Sequence, residues 1–122
     1  MTSSLSAWQI AVLAAYAAGM AGGQLLFKAA ALRMPAQGSF AERLLALAHN
    51  GYFLAALAIY FALSLVWVWL LRFTPLSRAY LFVALSFALV PLAAAVAFDE
   101  PLSGRFVLGA VLTVCGLILV VS

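Results

Sequence analysis

Four long apolar runs constrain this chain more than any other feature of its sequence. They cover roughly residues 5–32, 52–71, 79–98 and 106–121. A helix rising ~1.5 Å per residue needs about 20 mostly apolar residues to cross ~30 Å of hydrocarbon, and these runs reach or approach that length. They are continuous and rich in Ala and Leu, whereas the strands of a membrane barrel alternate apolar and polar residues over ~10 positions. The expected fold is therefore all-α, an integral membrane bundle of four transmembrane helices. Composition excludes the other classes. With 69% hydrophobic and 7% charged residues, the chain is far from the roughly 25% charge of soluble domains, and disordered chains are poor in apolar residues.

The breaks between the runs follow from their chemistry. Arg33, Pro35, Gln37, Gly38 and Ser39 end the first span, because Pro and Gly do not sustain a helix there. Residues 40–49 (FAERLLALAH) read as a short amphipathic stretch lying in the membrane interface, with Glu42 and Arg43 toward water. Asn50-Gly51 forms a turn into the second span. Residues 72–78 connect spans two and three tightly, with Ser77 expected to cap the third helix. Residues 99–105 are equally tight, so spans three and four form a hairpin. These connections leave no room for a second domain, and residues 1–122 read as one transmembrane domain. The first span does not read as a cleaved signal peptide, since residues 1–7 lack Lys and Arg and the apolar region exceeds a signal core.

Charge is scarce, and its placement is informative. Six Lys/Arg and three Asp/Glu are too few for the clustered basic face that nucleic-acid binding needs, so no nucleic-acid partner is expected. The termini and the 72–78 loop share one side of the membrane with Arg72 and Arg78. The other side carries Arg33, Arg43 and Arg105, with Lys28 added if its stem reaches outward. So small a difference sets no orientation under the positive-inside rule, and it would allow insertion both ways in an antiparallel dimer.

Polar residues inside the apolar runs are the candidates for function. Gln24 and Lys28 stand four apart, on one face of the first helix. Lys28 lies near the helix end, so it either snorkels to the interface or lines a polar cavity. Gly19 and Gly23 have the spacing that lets membrane helices approach closely. Pro91 interrupts the third span, which also carries Ser77, Arg78, Tyr80 and Ser86; it favours a kink, and discontinuous helices mark many transporter sites. Trp8, Trp67, Trp69, Tyr52 and Tyr80 lie near span ends, where aromatic anchors belong.

The three acids, Glu42, Asp99 and Glu100, all fall in or beside loops. No carboxylate occupies the middle of a span, as a proton-driven exporter of cations would require. The lone Cys115 forbids an intrachain disulfide or a Cys-rich metal site and reads as a small buried or lipid-facing residue. A hydrolytic triad or metal centre would need acidic, His or Cys partners that the spans lack. No enzyme activity, metal or cofactor is expected, and no phosphate-binding loop of the Gly-x-x-x-x-Gly-Lys type occurs.

Three segments resemble a known group. Gly23-Gln-Leu-Leu-Phe-Lys-Ala-Ala30 looks like the first-helix motif of the small four-helix members of the drug/metabolite transporter superfamily. Thr74-Pro-Leu-Ser-Arg-Ala-Tyr80 resembles their loop between the second and third helices, and Phe98-Asp-Glu-Pro-Leu-Ser103, before a Gly-containing final helix, fits the same group. Within it, the small multidrug exporters carry a membrane-embedded glutamate about two turns before the lysine. That position falls near Met20, where no acid stands. The flippase subunits for undecaprenyl-phosphate-linked aminoarabinose lack that glutamate, and the Trp67-Val-Trp-Leu-Leu71 end of span two is similar to theirs.

The resemblance implies a multi-pass protein of the bacterial inner membrane that flips an anionic lipid-linked sugar. Lys28, with Arg72 or Arg78, would contact the phosphate. Gln24, Tyr80 and Ser86 would offer hydrogen bonds to sugar hydroxyls. Glu100 would pair with Arg105 or read an amino sugar. Four helices are too thin a bundle to enclose such a head group, so a dimer is expected, with itself or with a sibling subunit. The alternatives are an ion-coupled exporter of small cations or metabolites and a non-transporting membrane subunit of a larger complex.

Overall fold

A computed structural model describes residues 5–121 of the chain. Among the described residues there are six helices and no strand: α1 (Ala7–Leu32), α2 (Phe40–Ala48), α3 (Gly51–Leu71), α4 (Leu76–Ala84), α5 (Ser86–Phe98) and α6 (Gly104–Val121). Helices α1, α3 and the combined α4–α5 stretch Leu76–Phe98 are each long and apolar enough to cross a membrane. The apolar stretch described within α6, Gly104–Gly116, is shorter than that.

Local sequence sets the helix ends. The Gln9 side-chain oxygen accepts from the Ser6 backbone N–H at 2.9 Å, which satisfies a free donor at the start of α1. Gly38 adopts φ 128°, a conformation glycine tolerates without a Cβ clash, and Ser39 then caps α2 by accepting from the Glu42 N–H at 3.2 Å. Asn50 caps α3, accepting from the Tyr52 N–H at 3.0 Å. Its amide nitrogen donates to the Ala30 carbonyl at 3.1 Å, tying the start of α3 to the end of α1. The expected cap at Ser77 does not form. The helix begins earlier, at Leu76, with Pro75 as its cap residue; the fixed φ of proline suits a helix entry, and Ser77 lies within the first turn.

α1 is the central element. α3 packs along one side of it and α4–α5 along the other, while α6 packs on α4 and α5. Glycines let α1 and α3 meet closely: a Cβ placed on Gly19 would lie 3.1 Å from Leu63, and one on Gly23 would lie 2.6 Å from the Tyr60 ring. Aromatic rings fill the same seam, with Tyr16 stacked on Trp67 and Phe27 on Tyr60. The core is thin and made mostly of alanine; Leu13 and Leu70 are the large side chains fully enclosed. Membrane helices associate through small residues and close packing rather than by removing apolar surface from water. Val96, Phe61 and Val68 remain 86%, 69% and 70% exposed, a surface suited to lipid.

The interruption expected at Pro91 falls instead at Leu85, one to two turns earlier, and α5 runs through Pro91. Pro91 donates no hydrogen bond to the Phe87 carbonyl, and the Ser86 hydroxyl donates to the Val83 carbonyl at 2.6 Å. Asp99, at φ 53°, turns the chain sharply after α5. Ser103 then caps α6 by accepting from the Phe106 N–H at 3.0 Å.

Candidate functional site

The polar face of α1 meets α3 on one flank and α5 on the other. Gln24 Nε2 donates to Tyr60 Oη at 2.8 Å, and Tyr60 Oη donates to the Met20 carbonyl at 3.1 Å. Gln24 also lines a cavity of about 250 Å³ with Met20, Ser86, Phe87, Val90 and Pro91. Two residues of the predicted set, Gln24 and Ser86, are thus brought to one space although 62 positions separate them in the chain.

Lys28, one turn beyond Gln24, pairs with Glu100 across a gap of 3.4 Å (Nζ to Oε1). This corrects the expected pairing of Glu100 with Arg105. The C-terminal ends of α1 and α5 lie side by side, and the reversal at Asp99 sets Glu100 next to α1 rather than along α6. Both side chains remain nearly half exposed. The pair is open to exchange with an incoming charged group, because such partly hydrated bridges are weak.

Glu100 lines a second cavity, of about 510 Å³, which shares Val90 and Pro91 with the first. An apolar cleft of about 260 Å³ between α5 and α6 shares Phe87 and Pro91 with the first cavity, and Pro91, Leu102 and Phe106 with the second. Three spaces of different polarity therefore meet at Pro91. Cys115 lies on the wall of the apolar cleft.

Arg72, Arg78 and Tyr80 form a separate group at the other end of the bundle. Gln9, near the start of α1, donates to the Phe73 carbonyl and to Thr74 Oγ1, each at 2.9 Å, and so fixes which end this is. Lys28 is 19 residues farther along α1, about 28 Å away along the axis. The Arg72 guanidinium lies 5.9 Å from the Phe73 ring, Arg78 is half-buried in the first turn of α4, and Tyr80 meets Trp67 edge-on at 6.1 Å.

Two residues with a part in this arrangement carry no motif. Gln9 is a buried polar clamp, and its only sequence signal is the Ser6-to-Gln9 capping spacing. Tyr60 is a hydroxyl in the middle of an apolar span, opposite Gly23. Among the described residues no three of His, Cys, Asp and Glu stand together as a metal-holding group. In comparisons with known proteins, no family model, curated sequence or solved structure matches the chain.

Proposed function

We propose that the protein is one subunit of a dimeric, four-span membrane transporter that carries the head group of a polyprenyl-phosphate-linked sugar across the bacterial inner membrane. The observation that supports this reading best is the meeting of three spaces at Pro91, with the Lys28–Glu100 pair at one margin. A lipid-linked amino sugar has an anionic phosphate, a cationic amine, several hydroxyls and a long apolar chain. Lys28 would take the phosphate as a point charge and Glu100 the amine, each exchanging its present partner for the ligand's complementary group. Gln24 and Ser86 would hydrogen-bond sugar hydroxyls, and the apolar cleft would receive the first isoprenoid units. Arg72 and Arg78 would meet the phosphate at the opposite membrane surface.

No carboxylate stands beside Gln24 or Ser86 inside the bundle, which disfavours export of cations by proton exchange. Transport would run downhill, be coupled to an ion gradient, or be drawn by consumption of the lipid on the far side. The test is reconstitution of the purified chain in liposomes containing an undecaprenyl-phosphate amino sugar, with a membrane-impermeant amine reagent reporting head-group exposure. The wild-type protein should accelerate exposure, and Lys28→Ala should slow it about tenfold, the effect expected from losing one charge-assisted contact. Inertness toward every such lipid, together with proton-coupled uptake of a quaternary ammonium dye, would replace this reading with the exporter.

A further inference from the structure

Where α1 ends, α2 and the first turn of α3 bound a cavity of about 640 Å³ that is separate from the site above. Arg33, His49 and Tyr52 line it, with Leu26 and Ala46 as its apolar wall. Its basic side chains are held in place. The Arg33 guanidinium lies 4.2 Å from the centroid of the Tyr52 ring, and one of its nitrogens donates to the Ala29 carbonyl at 3.2 Å. A guanidinium has five N–H donors in a fixed fork, so most of its capacity remains for an anion. His49 Nδ1 lies 2.8 Å from the Leu45 carbonyl, and since a carbonyl only accepts, Nδ1 carries the proton. That leaves Nε2 as an acceptor for a hydroxyl of the ligand. The Asn50 side chain is committed to capping α3 and to the Ala30 carbonyl, so it acts as scaffold.

The surrounding charges favour an anion. Arg43, also on α2, donates to the Ala36 carbonyl at 2.8 Å and adds positive potential nearby. The acid of α2, Glu42, lies seven residues before His49, about 10 Å away along the helix. The other side of α2 is apolar and uncovered by protein: Phe40 and Leu44 are 78% and 50% exposed. A short helix with such a face, tethered between two spans at the point where α1 ends, lies in the head-group layer with its apolar side against the acyl chains. One element thus presents a basic cavity on one side and a lipid-seeking face on the other.

We infer that this cavity binds the phosphate of an anionic phospholipid head group, with Arg33 as the fork on the phosphate and His49 Nε2 accepting a hydrogen bond from a head-group hydroxyl. A lipid is favoured over free phosphate because Leu26 and Ala46 give the cavity an apolar wall, and Leu45, one turn before His49 and 62% exposed, offers an apolar surface beside it. The inference is independent of the transported substrate.

Native mass spectrometry of the full-length protein, released from nanodiscs of mixed phosphatidylglycerol and phosphatidylcholine, tests it. The wild-type chain should retain phosphatidylglycerol preferentially. Arg33→Gln should reduce that retention about tenfold, as expected for a lost charge-assisted contact, whereas Arg43→Gln, outside the cavity, should change it by no more than about twofold. If Arg33→Gln fails to elute as a folded species, His49→Leu, which removes the acceptor, decides, and undiminished retention in that variant overturns the assignment. Equal retention of the two lipids, or equal losses in the Arg33 and Arg43 variants, would reduce the effect to general surface charge and overturn it. Displacement of the lipid by millimolar inorganic phosphate would assign the cavity to the free ion instead.

Discussion

Gly23 and Tyr60 show how single residues set the α1–α3 seam. Any side chain at position 23 meets the Tyr60 ring, while a Cβ at the neighbouring Gly22 meets nothing within 4 Å. Gly23→Ala should therefore destabilise the bundle by about 1–3 kcal/mol through overpacking, and Gly22→Ala should be neutral or stabilising by up to about 1 kcal/mol through helix propensity. Thermal unfolding of both variants in one detergent reads the difference; equal melting temperatures would mean that the seam is looser than described. Tyr60→Phe removes the hydroxyl shared by Gln24 and the Met20 carbonyl. Hydrogen bonds between membrane helices average about 0.6 kcal/mol, so the loss should be small and should appear chiefly as greater exchange of the Gln24 side-chain amide in NMR spectra. The Gly19/Gly23 spacing was legible in the sequence as a close-approach signal. Its partner Tyr60 was not, because a tyrosine in an apolar span looks the same whether it faces lipid or a glutamine.

Among the elements, the α4–α5 segment carries the clearest consequence. Its proline at position 91 lines the wall where the three spaces meet, and its break at Leu85 falls one to two turns before that wall. Replacing Pro91 by Ala restores a donor for the Phe87 carbonyl and should extend regular helix through this region. The variant should melt higher and transport more slowly, a trade expected where a strained element serves function. Unchanged transport in a variant with raised thermal stability would remove Pro91 from the site. The sequence indicated that a kink belonged in this span, since proline lacks the N–H that the helix ladder needs. It did not indicate that the interruption would fall at Leu85, where the Ser86 hydroxyl donates to the Val83 carbonyl and no residue spacing marks the position. α2 was legible in full as an amphipathic stretch, as its apolar and polar residues segregate at helical spacing.

On the scale of the whole molecule, the Lys28–Glu100 pair joins the ends of two helices that are distant in sequence. Charge reversal tests its role. Lys28→Glu and Glu100→Lys should each lower transport about tenfold or more, and the double variant should recover part of it if the pair acts as a unit. No recovery would indicate that each charge meets its own ligand group, in keeping with a zwitterionic substrate. The thin, alanine-lined core and the outward-facing Val96, Phe61 and Val68 also predict that the protein requires detergent or lipid to remain dispersed. Its removal should produce aggregation measurable by light scattering.

The sequence by itself determined the class of this protein. Long uncharged apolar runs leave the backbone no option but helices in lipid, where every N–H and C=O must be satisfied within its own segment. It also determined most helix ends, because glycine, proline, serine and asparagine act on their immediate neighbours, but not the start of α4 at Leu76 or the break at Leu85. Tertiary structure decided which polar residues share a space. It placed Gln24 with Ser86, paired Lys28 with Glu100 rather than leaving that acid to Arg105, and held Arg72, Arg78 and Tyr80 at the far end of the bundle. Those outcomes depend on the rotation and stagger of one helix against another, which glycine contacts and aromatic stacking set across the α1–α3 seam and no local spacing encodes.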